Sequence, residues 1–315
     1  MLEGFAYLGI EKTIPLIKVM VAIALWNKQT KSLHFIRDHL GKKPLYAGWV
    51  DNKIAFASEL KSLEKLAKTR LKIDKEAFQA YRYFGFIPAP LSIYKNIYKL
   101  PPAHWVTLHG NDLKEKKSDV LLQKKQRYWS LRKSDDVLDK TQSRAQLKPI
   151  LSAAVAKRMV ADVPLGAFLS GGIDSSLITA IMQEQSNKAV KTYSIGFNDH
   201  THDESRHAEK IAKHLNTDHT TYMVTPEESL KVIPDLPQIY DEPFADYSQI
   251  PTIVLCQQAK KDTTVALSGD GGDEVFCGYK RYFMLKKLLD TARPIPKILL
   301  YPSHNIYNTL KINGK

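Results

Sequence analysis

Two glycine-rich stretches hold the residues of this chain best suited to chemistry on phosphate: Ser170-Gly171-Gly172-Ile173-Asp174-Ser175-Ser176 and Ser268-Gly269-Asp270-Gly271-Gly272-Asp273-Glu274. In the first, glycines let backbone N–H groups turn toward an anion and two serine hydroxyls add donors. Asp174 supplies a carboxylate able to hold Mg²⁺ against that anion. No lysine follows the glycines and the GxxxxGK[ST] spacing is absent, so the loop suits release of pyrophosphate better than transfer of a terminal phosphoryl group. An ordinary Ser/Gly turn between a strand and a helix is the alternative. The second stretch packs three carboxylates and three glycines into one short run. So many charges in a tight turn repel unless a cation holds them, and Mg²⁺ is the natural candidate. With the two stretches opposed, the arrangement suits adenylation: a substrate carboxylate attacks the α-phosphorus of ATP and pyrophosphate leaves. A merely turn-forming or EF-hand-like cluster is the alternative, and the EF-hand spacing is absent.

Such loops must be carried by a parallel sheet, and the flanking sequence predicts one. The apolar run ending at Leu169 reads as a buried strand, and Leu177 to Met182 opens a helix with Ser175 or Ser176 near its cap. From Leu147 the pattern alternates: a helix to Met159, the loop strand, a helix through Gln185, a strand over 190–197, a helix over 205–215 and a strand over 263–267. Ligands of such sheets sit at the carboxyl ends of strands, which places the 170s loop, Ile195-Gly196 and the 268–274 loop round one crevice. His200, His202, Asp203, Glu204 and His207 resemble a metal cluster at first sight. Their place between a strand and a helix reads better as a helix start, with Asp203 as N-cap and Glu204 in the first turn.

The earlier part is sheet-rich and antiparallel in pattern. Met1 to Glu11 reads as the tail of an amphipathic helix, and strands are expected over 19–26 and 33–38. A hairpin is expected over 43–49 and 53–58 around Asp51-Asn52, then a short helix over 59–68. Residues 111–143 are polar and lysine-rich and read as an interdomain linker. Its basic run (Lys114, Lys116, Lys117, Lys124, Lys125, Arg127) has no interleaved aromatics for base stacking, so no nucleic-acid partner is expected.

Composition sets the outer limits. At 315 residues the chain has room for two domains, and its 43% hydrophobic and 25% charged content is that of an ordinary soluble protein. No apolar run reaches membrane-spanning length, and the first residues lack the pattern of a signal peptide. Cys256 and Cys277 are too few for a disulfide framework, which fits a reducing cytoplasm. The net charge of +13 is spread along the chain and decides nothing by itself.

The 170s loop resembles the pyrophosphate loop of the PP-loop ATP pyrophosphatases. Ala22 to Asn27, Arg37-Asp38-His39-Leu40-Gly41-Lys42-Lys43-Pro44-Leu45-Tyr46 and Phe56 to Leu63 resemble class II glutamine amidotransferases. Residues 84–90 and 93–102 look like the segment closing that domain in glutamine-hydrolysing asparagine synthetases, with Ala103 where glycine is usual. Ser268, Gly269, Asp270, Gly271, Asp273, Glu274, Gly278 and Tyr279 match the synthetase loop of the same family, as Asp203-Glu204-Ser205 and Tyr240 to Asp246 match other segments of it.

That resemblance implies an α/β protein: a partial Ntn-type antiparallel α+β glutaminase domain over 1–113, a linker over 114–143, and a Rossmann-like parallel-sheet PP-loop domain over 144–315. It implies that Leu169, Ile195, Ser268 and Gly269 line the adenosine site. Ser170, Gly171, Gly172, Asp174, Ser175 and Ser176 take the pyrophosphate, and Asp174 and Asp273 bind Mg²⁺. Asp270 and Glu274 stand at the reacting centre, Asp270 where many members carry glutamate. Cys277 is a tolerated substitution for Gly or Ala, and Asp241 and Asp246 order the substrate pocket. The reaction implied converts aspartate, ATP and nitrogen from glutamine or ammonia into asparagine, AMP and pyrophosphate. An amidotransferase acting on another carboxylate, such as a uronic acid, and a non-catalytic nucleotide-binding remnant are the alternatives; PP-loop tRNA modification ranks below them. Class II amidotransferases use an N-terminal cysteine whose own amino group serves as base, and Leu2 follows Met1 here. The expectation is therefore a chain truncated at both ends and without glutaminase activity, working as a homodimer or with a complementing fragment.

Overall fold

The computed structural model describes residues 1–133, 138–197 and 204–292. By its contacts the chain divides into two compact units. One comprises Met1–Leu138 with Pro226–Ile253, the other Asp139–Thr225 with the residues from Val254 onward.

The first unit carries two antiparallel sheets. Strand β1 (Ala22–Asn27) pairs with β2 (Ser32–Arg37), and the Asn27 carboxamide oxygen accepts from the Gln29 and Thr30 N–H groups at 2.9 and 3.1 Å to close the turn. Strands β3 (Tyr46–Val50) and β4 (Lys53–Ala57) form the expected hairpin. Asp51 and Asn52 both adopt the left-handed conformation, at φ 46° and 63°, which a two-residue turn between right-twisted strands demands. Strand β5 (Ile97–Lys99) adds to β3, β6 (His104–Leu108) to β2, and the two-residue β7 (Gln126–Arg127) to β6.

The stretch 114–143, read above as linker, begins with folded chain. Val120 and Leu121 are buried with Phe35, Ala47, Val106 and Leu108 in one apolar cluster, and the Tyr128 hydroxyl donates to the Arg37 carbonyl at 2.8 Å. Two buried aliphatics and two ladder residues fix this segment despite its lysines.

The segment 226–253 belongs to the same unit and is fastened to it by acids. Asp241 accepts from the Leu60 and Lys61 N–H groups at 2.8 and 3.4 Å, and so caps the helix Leu60–Leu66, which has no side-chain cap of its own. Glu242 accepts from the Ile93 N–H at 2.8 Å and pairs with Lys99. The Ala245 N–H donates to the Gly85 carbonyl at 2.6 Å.

The second unit is built on one parallel sheet in the order β10-β9-β8-β11, from β8 (Leu165–Phe168), β9 (Lys191–Phe197), β10 (Asp218–Val224) and β11 (Val265–Leu267). Helices Lys140–Met159, Ile173–Glu184 and Ser205–Leu215 connect or flank these strands. The first starts seven residues before the expected 147, because Asp139 accepts from the Thr141 and Gln142 N–H groups at 2.7 and 2.8 Å. Val155, Ala167, Ile181, Met182 and Val190 form the core between helices and sheet.

Candidate nucleotide site

Strand β8 delivers the chain to the serine–glycine loop. The Leu169 N–H donates to the Tyr193 carbonyl at 2.9 Å, and the Leu169 side chain is 1% exposed, packed with Ala208, Ala212 and Ile211. Leu169 thus supports the loop from behind. Gly172 caps the helix Ile173–Glu184 without a side-chain acceptor, so the first-turn N–H groups and the positive helix end are left for an anion. Ser175 and Ser176 lie inside that first turn. The Ser175 hydroxyl is 2.9 Å from the Ser170 hydroxyl and accepts from the Ser170 N–H at 3.2 Å, and the Ser176 hydroxyl donates to the Gly172 carbonyl at 2.6 Å. Gly171 has φ +83°, and a Cβ there would stand 2.8 Å from the His207 Cβ and 2.9 Å from the Ala208 nitrogen. Only glycine fits at that turn.

Strand β11 delivers the second loop against the first. A Cβ on Gly269 would stand 2.5 Å from the Ser175 nitrogen and 2.8 Å from the Asp174 carbonyl carbon, and one on Gly272 would land on the Asp174 carboxyl group. The structure therefore brings together the 170–176 and 268–274 stretches, as expected of loops at the carboxyl ends of strands in one parallel sheet. Burial pushes the Asp174 carboxyl above its ordinary range, and the charges of Asp273 and Glu274 push it further. Glu274 accepts from the Tyr279 hydroxyl at 2.7 Å, which holds that phenol up at about 12. Arg281 lies over the Tyr279 ring at 4.1 Å. The Asp270 carboxylate accepts from the Ser268 hydroxyl at 2.9 Å and is exposed. Ile195 is half-buried near the end of β9, beside Gly196, whose open side is covered by Met223 and Ser205.

The donor set fits a hard divalent cation. It consists of carboxylate oxygens, and Asp174 carries the repulsion that a cation would relieve. Among the described residues no three His, Cys, Asp or Glu side chains form a ready cage, so an ion here would need oxygens from nucleotide or water as well. His200, His202 and Asp203 lie outside the described residues; Glu204 and His207 flank and enter the helix Ser205–Leu215. Cys277 and Cys256 are free and exposed, and Cys277 holds the left-handed φ of +57° at the end of the helix Gly272–Phe276, a position where glycine is at ease. Among the described residues no helix is long and apolar enough to cross a membrane.

A parallel sheet that presents a serine–glycine loop and an acidic glycine loop in contact at its carboxyl edge is a PP-loop nucleotide-binding architecture. Comparison with known proteins narrows the class: the family model described as asparagine synthase matches residues 146–311, and that described as a glutamine amidotransferase domain matches residues 1–129. The chain belongs to the asparagine synthase family. It is 38% identical over 298 residues to a Methanocaldococcus jannaschii protein provisionally named asparagine synthetase [glutamine-hydrolyzing] 2, covering 94% of this chain and 56% of that one. It is 34% identical to asparagine synthetase [glutamine-hydrolyzing] 1 of Bacillus subtilis, covering 92% and 45%, and 26% identical to the Zea mays asparagine synthetase, covering 92% and 46%. The chain spans about half the length of these curated relatives.

Proposed function

We propose that the second unit binds ATP between the two loops and serves the adenylation of a carboxylate, aspartate in the first instance, for amidation with nitrogen from glutamine or ammonia. The products are asparagine, AMP and pyrophosphate. The observation that carries this reading is the interlock of Gly269 and Gly272 with Asp174: a loop that bonds an anion and a loop that gathers carboxylates meet without a side chain between them. In this reading Ser170, Gly171, Gly172, Ser175 and Ser176 hold the pyrophosphate. Leu169, Ile195, Ser268 and Gly269 border the adenosine, the first of these through its backbone because its side chain is buried. Asp174 and Asp273 hold Mg²⁺, which supplies charge neutralisation at the leaving pyrophosphate.

Asp270 and Glu274 belong to the reacting centre. Asp270, exposed between two glycines, orients the attacking nitrogen or accepts its proton. Residues 1–113 then represent the glutaminase part and 144–315 the synthetase part. The family membership and the amidotransferase match over 1–129 support glutamine as the nitrogen source. Titration of the full chain with ATP, with and without Mg²⁺, tests the core of the reading. Asp174→Asn should abolish the Mg²⁺-dependent part of the binding and leave the metal-free part in place. Binding unchanged in the variant would remove Asp174 from the metal site and refute the loop assignment.

A further inference from the structure

The histidine-rich stretch 200–207, which runs into the helix Ser205–Leu215, has a member that the reading above leaves without a role. His207 sits in the first turn of that helix, exposed, with its Cβ and the neighbouring Ala208 nitrogen laid against the open side of Gly171. The approach is as close as backbone allows, since Gly171 has no Cβ and holds φ +83°. Neither 170–176 nor 268–274 contains a lysine or arginine, so the loops offer a polyanion only backbone N–H groups, hydroxyls and a helix end. Arg281, the nearest arginine in sequence to the acidic loop, is stacked on the rings of Tyr279 and Tyr282.

We propose that His207 is a pyrophosphate-contacting residue, its imidazole donating an N–H to a non-bridging oxygen of the nucleotide's β- or γ-phosphate. The proposal rests on the nucleotide reading of this site and deepens it. Imidazole donates from one nitrogen when neutral and from both when charged, so it serves as donor in either state. A hydrogen bond of this kind to a phosphate is charge-assisted. Its loss should weaken binding about tenfold, the change that about 1.4 kcal/mol produces.

The test measures the affinity of the full chain for Mg²⁺–ATP, Mg²⁺–pyrophosphate and adenosine by titration calorimetry, in wild type, His207→Ala, His207→Lys and Arg206→Ala. The expected result is a loss of about tenfold for ATP and pyrophosphate in His207→Ala, recovery in His207→Lys, and no change for adenosine or in Arg206→Ala. A merely structural histidine would weaken adenosine binding equally and would not be rescued by lysine, and that result overturns the proposal. So does an equal loss in Arg206→Ala, which would assign the effect to the general charge of the helix, and so does an unchanged pyrophosphate affinity in His207→Ala while wild type binds. A wild-type chain that binds neither ATP nor pyrophosphate overturns the nucleotide reading itself, and this proposal with it.

Discussion

Gly272→Ala tests the contact between the two loops on which the proposed nucleotide site depends. A Cβ at this position would lie inside van der Waals distance of all three Asp174 carboxyl atoms. Carbon and its neighbours prefer roughly 3.5–4.0 Å, so relief requires the loop or the carboxylate to move by about 1 Å. Overpacking of this kind costs roughly 1–3 kcal/mol in a core, and this loop, half-exposed at Gly272, should fall near the lower end. The effect on ligand binding should be larger than the effect on stability. A misplacement of about 1 Å can cost on the order of a hundredfold where groups must act in concert, so Mg²⁺–ATP affinity should fall by at least tenfold. A double-mutant cycle isolates the cause. In an Asp174→Ala background the carboxyl group is gone and Gly272→Ala should be nearly free, giving a coupling of about 1 kcal/mol or more by thermal or urea unfolding. Gly110→Ala serves as control, because a Cβ there meets nothing within 4 Å. If Gly272→Ala costs the same with and without the Asp174 side chain, the two loops do not touch and the reasoning fails.

Three further outcomes are expected. Lys99 and Glu242 are paired with only 14% and 10% of their side chains exposed, and burial lowers the lysine's pKa although Glu242 opposes it; Glu242→Ala should destabilise the first unit by about 3 kcal/mol by stranding the ammonium, and Lys99→Met with Glu242→Met should recover most of it, whereas a loss under about 1 kcal/mol in urea unfolding would show the pair to be solvated. His219 bonds to the Thr192 and Ser194 hydroxyls at 2.8 and 3.2 Å, and burial holds its pKa below the ordinary 6.5. Below that value the unfolded chain binds the proton more readily, so stability should decline as pH falls toward the folded value; His219→Gln should flatten that decline, and an identical pH profile in the variant would exclude His219 as its source. Cys277→Gly should raise the melting temperature of the second unit, because relief of about 1–2 kcal/mol at the left-handed φ outweighs the entropy glycine adds to the unfolded chain; a lower melting temperature would contradict it.

What the sequence made legible was local. The Asp51-Asn52 hairpin follows from two adjacent residues that tolerate positive φ, and the two loops follow from glycine and carboxylate spacing beside apolar strands. Strand β10 escaped because its inward contacts are polar: His219 and Thr221 meet Thr192 and Ser194 of β9 through hydrogen bonds, so no alternation of apolar residues marks it. The place of 226–253 in the first unit escaped for a different reason. It rests on Asp241 reaching Leu60 and Glu242 reaching Ile93, 181 and 149 residues away, and no local pattern records a partner at that distance. In 114–143 the lysines dominate the composition while Val120 and Leu121 decide the packing.

The strength of a motif and its chemical use are separate matters, as the two units show. Arg37 and Asp38 open a run that resembles class II glutamine amidotransferases. Yet the Arg37 guanidinium donates to the carbonyls of Lys43, Gly41 and Leu100 at 3.0, 2.8 and 2.6 Å, and Asp38, 4% exposed, accepts from the N–H groups of Leu40, Lys42 and Lys43. Their hydrogen-bonding capacity is taken up by a loop that would otherwise bury orphan backbone groups. These residues shape the chain. In the second unit the balance is reversed. Burial raises the Asp174 pKa and the charges of Asp273 and Glu274 raise it further, the helix it belongs to has no side-chain cap, and Gly269 and Gly272 lie so close against it that neither leaves room for a Cβ. In the nucleotide reading proposed above, a bound polyanion with its cation would relieve that strain.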